Sequence, residues 1–190
     1  MIRQLPVLLF IVVLASCNIS PKEKSETGQS GVAQLSSPAK DSCAEPYLFT
    51  DNKGLVYLSW IEKKGTEHYF KFSMLENDNW FQPVIIDSGN NWFVNWADYP
   101  MLAADGANNL MAHFLAKSGD GKYAYDVKVL NSANSGKSWS AAKTLHDDGK
   151  QAEYGFVSMV PYKNDFFVSW LDGRNTGKEE GKGDQEGHHG

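Results

Sequence analysis

The sequence contains very little arginine and cysteine, and no long apolar run after its first residues. Arginine occurs only at positions 3 and 174, and cysteine only at positions 17 and 43. The formal net charge is −5 and no basic stripe is present, which argues against a nucleic-acid partner. No helical periodicity persists along the chain, so the sequence predicts few helices.

The N-terminus has the features of a bacterial secretion signal. Arg3 precedes an apolar stretch from Leu5 to Leu14, and Leu14-Ala15-Ser16-Cys17 resembles a lipobox. This resemblance implies a signal peptide over residues 1–16 and a diacylglycerol on Cys17 that anchors the protein to a membrane. Asn18 follows in place of a retention aspartate, which favours the outer membrane. A plain cleaved signal or a short anchor is the alternative.

Lipidation of Cys17 would leave Cys43 without a partner in the sequence. An odd thiol in the cell envelope indicates either an external partner or a buried free thiol. A Cys17–Cys43 disulfide is the competing interpretation, and it requires that the lipobox is not used.

The composition divides the rest of the chain into three parts. Residues 17–43 are polar and lack aromatic side chains, so we predict a flexible tether. Residues 44–174 contain aromatic and β-branched runs separated by Gly, Asn and Asp, which predicts an all-β domain. Residues 175–190 lack apolar side chains, so we predict a flexible polar tail. The predicted strands include residues 55–61, 68–73, 80–86, 110–115, 123–130, 139–145 and 166–171.

One octapeptide, Ser132 to Trp139, has the layout of an Asp-box hairpin. Its key positions are Ser132, Asn134, Gly136, Ser138 and Trp139. Asn134 can bond backbone N–H groups of the turn, and Gly136 can take a positive φ without steric cost. We expect Trp139 to begin the next strand. Ser73 to Trp80 repeats the Ser-to-Trp offset, with Asn77 at the glycine position.

The segment resembles the BNR, or Asp-box, repeats of sialidase-type β-propellers. A longer repeat agrees with this, because the aromatic residues Trp60, Phe114 and Trp170 are 54 and 56 residues apart. The repeats amount to about two and a half blades of the six that the resemblance implies, so we expect a partial propeller from a longer protein. A small sandwich of about ten strands is the alternative fold.

The resemblance does not extend to the catalytic signature. Sialidases bind the substrate carboxylate with three arginines and use a Tyr activated by Glu, with an Asp as acid/base. The mature chain has only Arg174, so a three-arginine cluster is impossible within it. No catalytic residue is therefore assigned.

Four residues are candidates for ligand binding. Arg174 and Asp172 lie in Trp170-Leu171-Asp172-Gly173-Arg174, where they favour a carboxylate or sugar site, or else a simple surface ion pair. Trp96 and Asp98 lie in an aromatic segment, Asn91 to Tyr99, that suits either sugar stacking or packing between blades.

The sequence predicts no metal site and no cofactor. His188 and His189 lie in an acidic, Gly-rich tail without the ligand spacing of a closed site. His113 lies within an apolar strand, where we expect packing. Two functional hypotheses remain: a sialidase-like glycoside hydrolase, and a non-catalytic propeller that binds glycan or protein at the cell surface.

Overall fold

The structure is a computed structural model that describes residues 31–176. Strands account for 53% of these residues, and none of them is helical, which confirms the all-β prediction. The strands are β1 (Cys43–Thr50), β2 (Val56–Lys64), β3 (Glu67–Glu76), β4 (Asn79–Trp80), β5 (Val84–Gly89), β6 (Met101–Ala104), β7 (Leu110–Lys117), β8 (Tyr125–Ser132), β9 (Lys143–Thr144), β10 (Tyr154–Tyr162) and β11 (Asp165–Asp172).

The strands form three consecutive antiparallel sheets. Sheet 1 has the order β1-β2-β3-β4, with β5 also paired to β3; sheet 2 has the order β6-β7-β8-β9; sheet 3 is the hairpin β10-β11. None of the sheets closes on itself. The chain thus completes one sheet before it begins the next.

The three sheets share a common register. The second strand of each sheet carries Ser59, His113 and Ser169, which pair with Tyr47, Met101 and Ser158 of the first strands. The second-strand positions are 54 and 56 residues apart, the same spacing that the aromatic repeat showed. The sequence repeat is therefore also a repeat of strand pairing.

The sheets stack on one another through equivalent faces. The face of sheet 1 that carries Tyr57 and Ile61 packs against the back of sheet 2, where Ala112 and Phe114 lie. The opposite face of sheet 2 carries Leu115 and packs against sheet 3. We call the face toward the following sheet the forward face.

Within residues 31–176, nothing covers the forward face of sheet 3. Leu171 occupies the position of Ile61 and Leu115, and it is 44% exposed whereas those two are 2% and 1% exposed. The exposed apolar residues of this face are Phe156, Val160, Tyr162, Phe167 and Leu171.

Two predicted strands differ from the structure. The predicted strand 80–86 divides into β4 and β5, because Pro83 lies between them and cannot donate a ladder hydrogen bond. The predicted strand 139–145 is reduced to β9, and Trp139 lies before it in the loop. Trp139 instead turns inward and meets the Phe72 ring edge-on, with centroids 6.1 Å apart.

The ends of the chain carry several predictions that the described residues do not include. The signal peptide, Cys17, most of the tether and His188–His189 lie outside residues 31–176, as does the tail beyond residue 176. Residues 31–40 form no strand. Cys43 lies in β1 with a partly buried thiol, and burial raises the pKa of that thiol. Within the described part of the chain no helix is long and apolar enough to cross a membrane.

Candidate functional site

The N-terminal ends of the first strands of the three sheets lie side by side. The rings of Tyr47 in β1 and Tyr99, just before β6, are 6.1 Å apart. Asp98 joins the start of β6 to β10, because its Oδ1 accepts the Phe156 N–H at 2.9 Å. We call this region, which contains Glu45, Trp96, Asp98, Tyr125, Glu153 and Phe156, the strand-end cluster.

Asp98 is the most unusual polar group of the cluster. It is only 5% exposed, and its Oδ2 is buried with no hydrogen-bond partner. Burial raises the pKa of Asp98, and the nearby Glu153 carboxylate raises it further, while the bond from the Phe156 N–H opposes them. No cation is among the groups that shift the pKa of Asp98, so Asp98 takes up a proton more readily than an exposed aspartate.

The backbone beside Asp98 is strained. Phe156 has a φ of +49° at a β-bulge between Gly155 and Ser158, a conformation that a bulky residue rarely adopts. Glu45 has a φ of +56° at the corresponding bulge of β1, and burial raises its pKa. Such bulges redirect side chains and are common beside functional sites.

Tyr125 and Glu153 form a second pair within the cluster. The Tyr125 hydroxyl donates to Glu153 Oε1 at 2.9 Å, and Phe93 stacks on the Tyr125 ring with centroids 4.1 Å apart. Burial, followed by the bond to Glu153, raises the pKa of Tyr125. The phenol is thus held in its protonated form, which is the opposite of an activated nucleophile.

Two aromatic side chains of the cluster reach solvent. Trp96 is 82% exposed and Phe156 is 56% exposed. Phe156 also lines a surface depression of about 280 Å³, together with residues that include Asp98, Tyr99 and Met101. The rest of the aromatic segment is packed: Trp92 stacks on Phe114 with centroids 4.2 Å apart. The Trp92 end of the segment is therefore packed in the interior, and Trp96 is exposed at the surface.

Arg174 and Asp172 form an intramolecular ion pair. The Arg174 Nε and Nη2 lie 2.8 and 2.7 Å from Asp172 Oδ2, and two further carboxylates, Asp148 and Asp147, lie 3.6 and 3.7 Å away. The hydrogen bond from Arg174 lowers the pKa of Asp172. The guanidinium is surrounded by three carboxylates, so it is poorly suited to bind a ligand carboxylate.

A histidine lies next to this ion pair. His146 is buried between Asp126 and Asp148, with ring nitrogens 3.2 and 3.0 Å from their carboxylates, and it stacks on Tyr154. The Tyr154 hydroxyl donates to Asp148 at 2.7 Å, which together with the His146 contact lowers the pKa of Asp148 to about 2. These bonds fasten the connection between β9 and β10.

The octapeptide forms a closed polar turn between β8 and β9. The Ser132 hydroxyl accepts the Gly136 N–H at 2.9 Å, and Asn134 Oδ1 accepts the Ser138 N–H at 2.9 Å. Gly136 has a φ of +81°. The turn of sheet 1 is different, because Asn77 and Asp78 both have positive φ and make a tight two-residue hairpin. The two Ser-to-Trp segments therefore connect the third and fourth strands of their respective sheets but fold differently.

The structure brings together only some of the residues that the sequence singled out. Asp98 and Trp96 belong to the strand-end cluster, and Arg174 and Asp172 to a separate ion pair. Sequence reasoning missed Glu45, Tyr125, Glu153 and Phe156. Tyr125, Glu153 and Phe156 approach Asp98 through strand pairing and the bulge of β10, for which no local sequence signal exists, and Glu45 lies at the equivalent bulge of β1.

Comparisons with known proteins found no match to this chain. No protein-family model, curated protein or solved structure matches it.

Proposed function

We propose that this protein is a lipid-anchored envelope protein that binds carbohydrate at the strand-end cluster. The observation that carries the proposal is the pair of exposed aromatic side chains near the buried Asp98: Phe156, whose N–H bonds Asp98 Oδ1, and Trp96, two residues before Asp98 in the chain. Aromatic faces stack against the C–H faces of sugar rings, and carboxyl groups bond sugar hydroxyls. Concave sites that combine apolar walls with a few polar groups are typical of small-molecule binding.

The charge of the cluster favours a sugar without an acidic group. Its ionisable side chains are Glu45, Asp98, Tyr125 and Glu153, and no cation contributes to the pKa of Asp98 or Glu45. A sialic acid carboxylate would meet like charges here. Neutral sugars avoid this repulsion, so we propose neutral glycans as the ligands.

Two features oppose sialidase-type hydrolysis at this site. Arg174 is engaged by three carboxylates, and Tyr125 is held protonated. We therefore favour the binding function over the hydrolase that the family resemblance implies.

We also propose that the three sheets are successive blades of a β-propeller. The support is their shared register, their stacking through equivalent faces and the uncovered forward face of sheet 3. A further sheet of the same kind would cover that face, as sheets 2 and 3 cover the forward faces of sheets 1 and 2. This arrangement would put the strand-end cluster near the axis of the ring.

The membrane anchor remains a proposal that depends on the lipobox at Cys17. Metabolic labelling with a radioactive fatty acid tests it, with Cys17→Ser as the control. Label on the wild-type chain and none on the variant supports the anchor, whereas an unlabelled wild-type chain contradicts it.

A glycan array tests the carbohydrate proposal. The full-length protein is applied to immobilised neutral and sialylated glycans, and we expect binding to neutral members. Trp96→Ala should weaken this binding by about tenfold or more, because truncation of an aromatic hot spot that a ligand covers costs about 2 kcal/mol or more.

Phe81→Ala is the matched control for Trp96→Ala. Phe81 is also an exposed aromatic residue, but it follows β4 near the opposite ends of the strands. Its loss should leave glycan binding unchanged. Binding that persists in Trp96→Ala, or that is restricted to sialylated glycans, would contradict the proposal.

A further inference from the structure

His113 is a buried side chain that the proposed function does not use. It is wholly buried in the middle of β7, and neither of its ring nitrogens has a hydrogen-bond partner. Burial lowers the pKa of His113 to about 3, so the imidazole is neutral at physiological pH and carries one free lone pair. A buried polar group without a partner costs stability, so its presence calls for an explanation.

Three methionines share the layer that His113 faces. Residues 31–176 contain Met74, Met101, Met111 and Met159, and the last three belong to the layer between sheets 2 and 3. Met101 is the cross-strand partner of His113 in β6. Met111 precedes His113 by two residues in β7, so the two side chains lie on the same face.

The third methionine comes from the opposing sheet. Met159 lies in β10 and belongs to the buried cluster that sheets 2 and 3 form together. Val129, the other cross-strand neighbour of His113, packs against this same cluster. His113 is therefore enclosed by a layer to which both sheets contribute thioether side chains.

We propose that His113, Met101, Met111 and Met159 form a binding site for monovalent copper. Thioether sulfur and neutral imidazole are ligands that select Cu(I) over harder cations. Coordination would satisfy one of the unpartnered nitrogens of His113. Met101 also lines the depression beside Asp98, but the site does not depend on the carbohydrate proposal, because it uses neither Trp96, Phe156 nor Asp98.

Two of these methionines also line depressions at the surface. Met101 lines the depression of about 280 Å³ beside Asp98. Met111 lines a second depression of about 490 Å³, near Asn131 and Phe166. Met101 and Met111 thus each border both a surface depression and the layer that contains His113.

Anaerobic competition with the chelator bicinchoninate tests the proposal. The full-length protein is titrated with Cu(I), and we expect it to retain one equivalent. The triple variant Met101→Leu/Met111→Leu/Met159→Leu should lose about a hundredfold in affinity, because thioether ligands are removed while side-chain volume is kept. Leu for Met substitution keeps the core packed, and circular dichroism checks that the fold is retained.

Met74→Leu is the matched control. Met74 packs in the other layer, between sheets 1 and 2, so its replacement should leave the Cu(I) affinity unchanged. X-ray absorption of the copper complex should show both sulfur and nitrogen neighbours. Failure of the wild-type protein to retain Cu(I), or equal retention by the folded triple variant, would overturn the site.

Discussion

Asp98 both anchors the backbone of β10 and carries a carboxyl group whose charged form is disfavoured by burial. Its Oδ1 fixes the strained Phe156, while its Oδ2 is buried without a partner. Buried carboxylates of this kind are uncommon in purely structural positions and are frequent at functional sites. We therefore regard Asp98 as the centre of the strand-end cluster.

Asp98→Asn should remove a pH dependence without removing the anchor. The folded-state pKa of Asp98 lies above its ordinary value of 3.8, so the protonated group favours folding at low pH. That contribution is lost as the pH rises through the raised pKa. We therefore expect the unfolding free energy, measured with urea, to decline less with rising pH in Asp98→Asn than in the wild type.

Asp98→Ala should behave differently from Asp98→Asn. Alanine leaves the Phe156 N–H without its acceptor, which costs about 1–3 kcal/mol of unfolding free energy at all pH values. Asp165→Asn removes an exposed carboxylate and serves as the control, with no change expected. An unaltered pH profile in Asp98→Asn would show that Asp98 does not carry the dependence.

At the scale of elements, the turn between β8 and β9 holds sheets 1 and 2 together. Gly136 lies against the Phe72 ring of sheet 1, and a Cβ at this position would overlap that ring. Trp139 from the same loop meets Phe72 as well. The turn thus acts as a packing element as well as a chain reversal.

Gly136→Ala should destabilise the protein more than Gly149→Ala. Both glycines have a positive φ, so each substitution costs roughly 1–2 kcal/mol in backbone conformation. Only Gly136 also faces a neighbour, since nothing lies near a Cβ at Gly149. Thermal unfolding of the two variants separates the backbone cost, which both share, from the overlap with Phe72, which only Gly136→Ala has. Equal shifts in melting temperature would show that the Phe72 contact is unimportant.

The elements were largely predictable because their apolar runs and turns are local features. Residues 55–61 and 110–115 predicted the cores of β2 and β7, and both strands extend only slightly further. The strand-end cluster was not predictable as a whole. Asp98 was a candidate, but Glu153 and Phe156 reach it only through a bulge whose positive φ falls on a phenylalanine, a residue that normally avoids it.

At the scale of the whole molecule, the forward faces of sheets 1 and 2 each pack against the next sheet along the chain. Ile61, Leu115 and Leu171 occupy equivalent positions, and among the described residues a sheet covers the first two but not Leu171. An exposed apolar face of this kind promotes association with other surfaces. The forward face of sheet 3 is therefore poorly suited to contact with water.

Leu171→Lys should change association without changing stability. The side chain is partly exposed, so we expect an effect on the unfolding free energy within about 0.5 kcal/mol and less self-association in size-exclusion chromatography. Leu115→Lys at the equivalent covered position should unfold the protein, because it buries an unpaired ammonium group. A large loss of stability in Leu171→Lys would contradict the assignment of an uncovered face.

The unequal exposure of the tryptophans gives the molecule a built-in optical probe. All six tryptophans lie within the described residues, and Trp96 is by far the most exposed of them. Iodide in solution should therefore quench the emission of Trp96 selectively. Occupation of the surrounding surface can then be followed by fluorescence without an added label, while the shielded indoles report on the integrity of the interior.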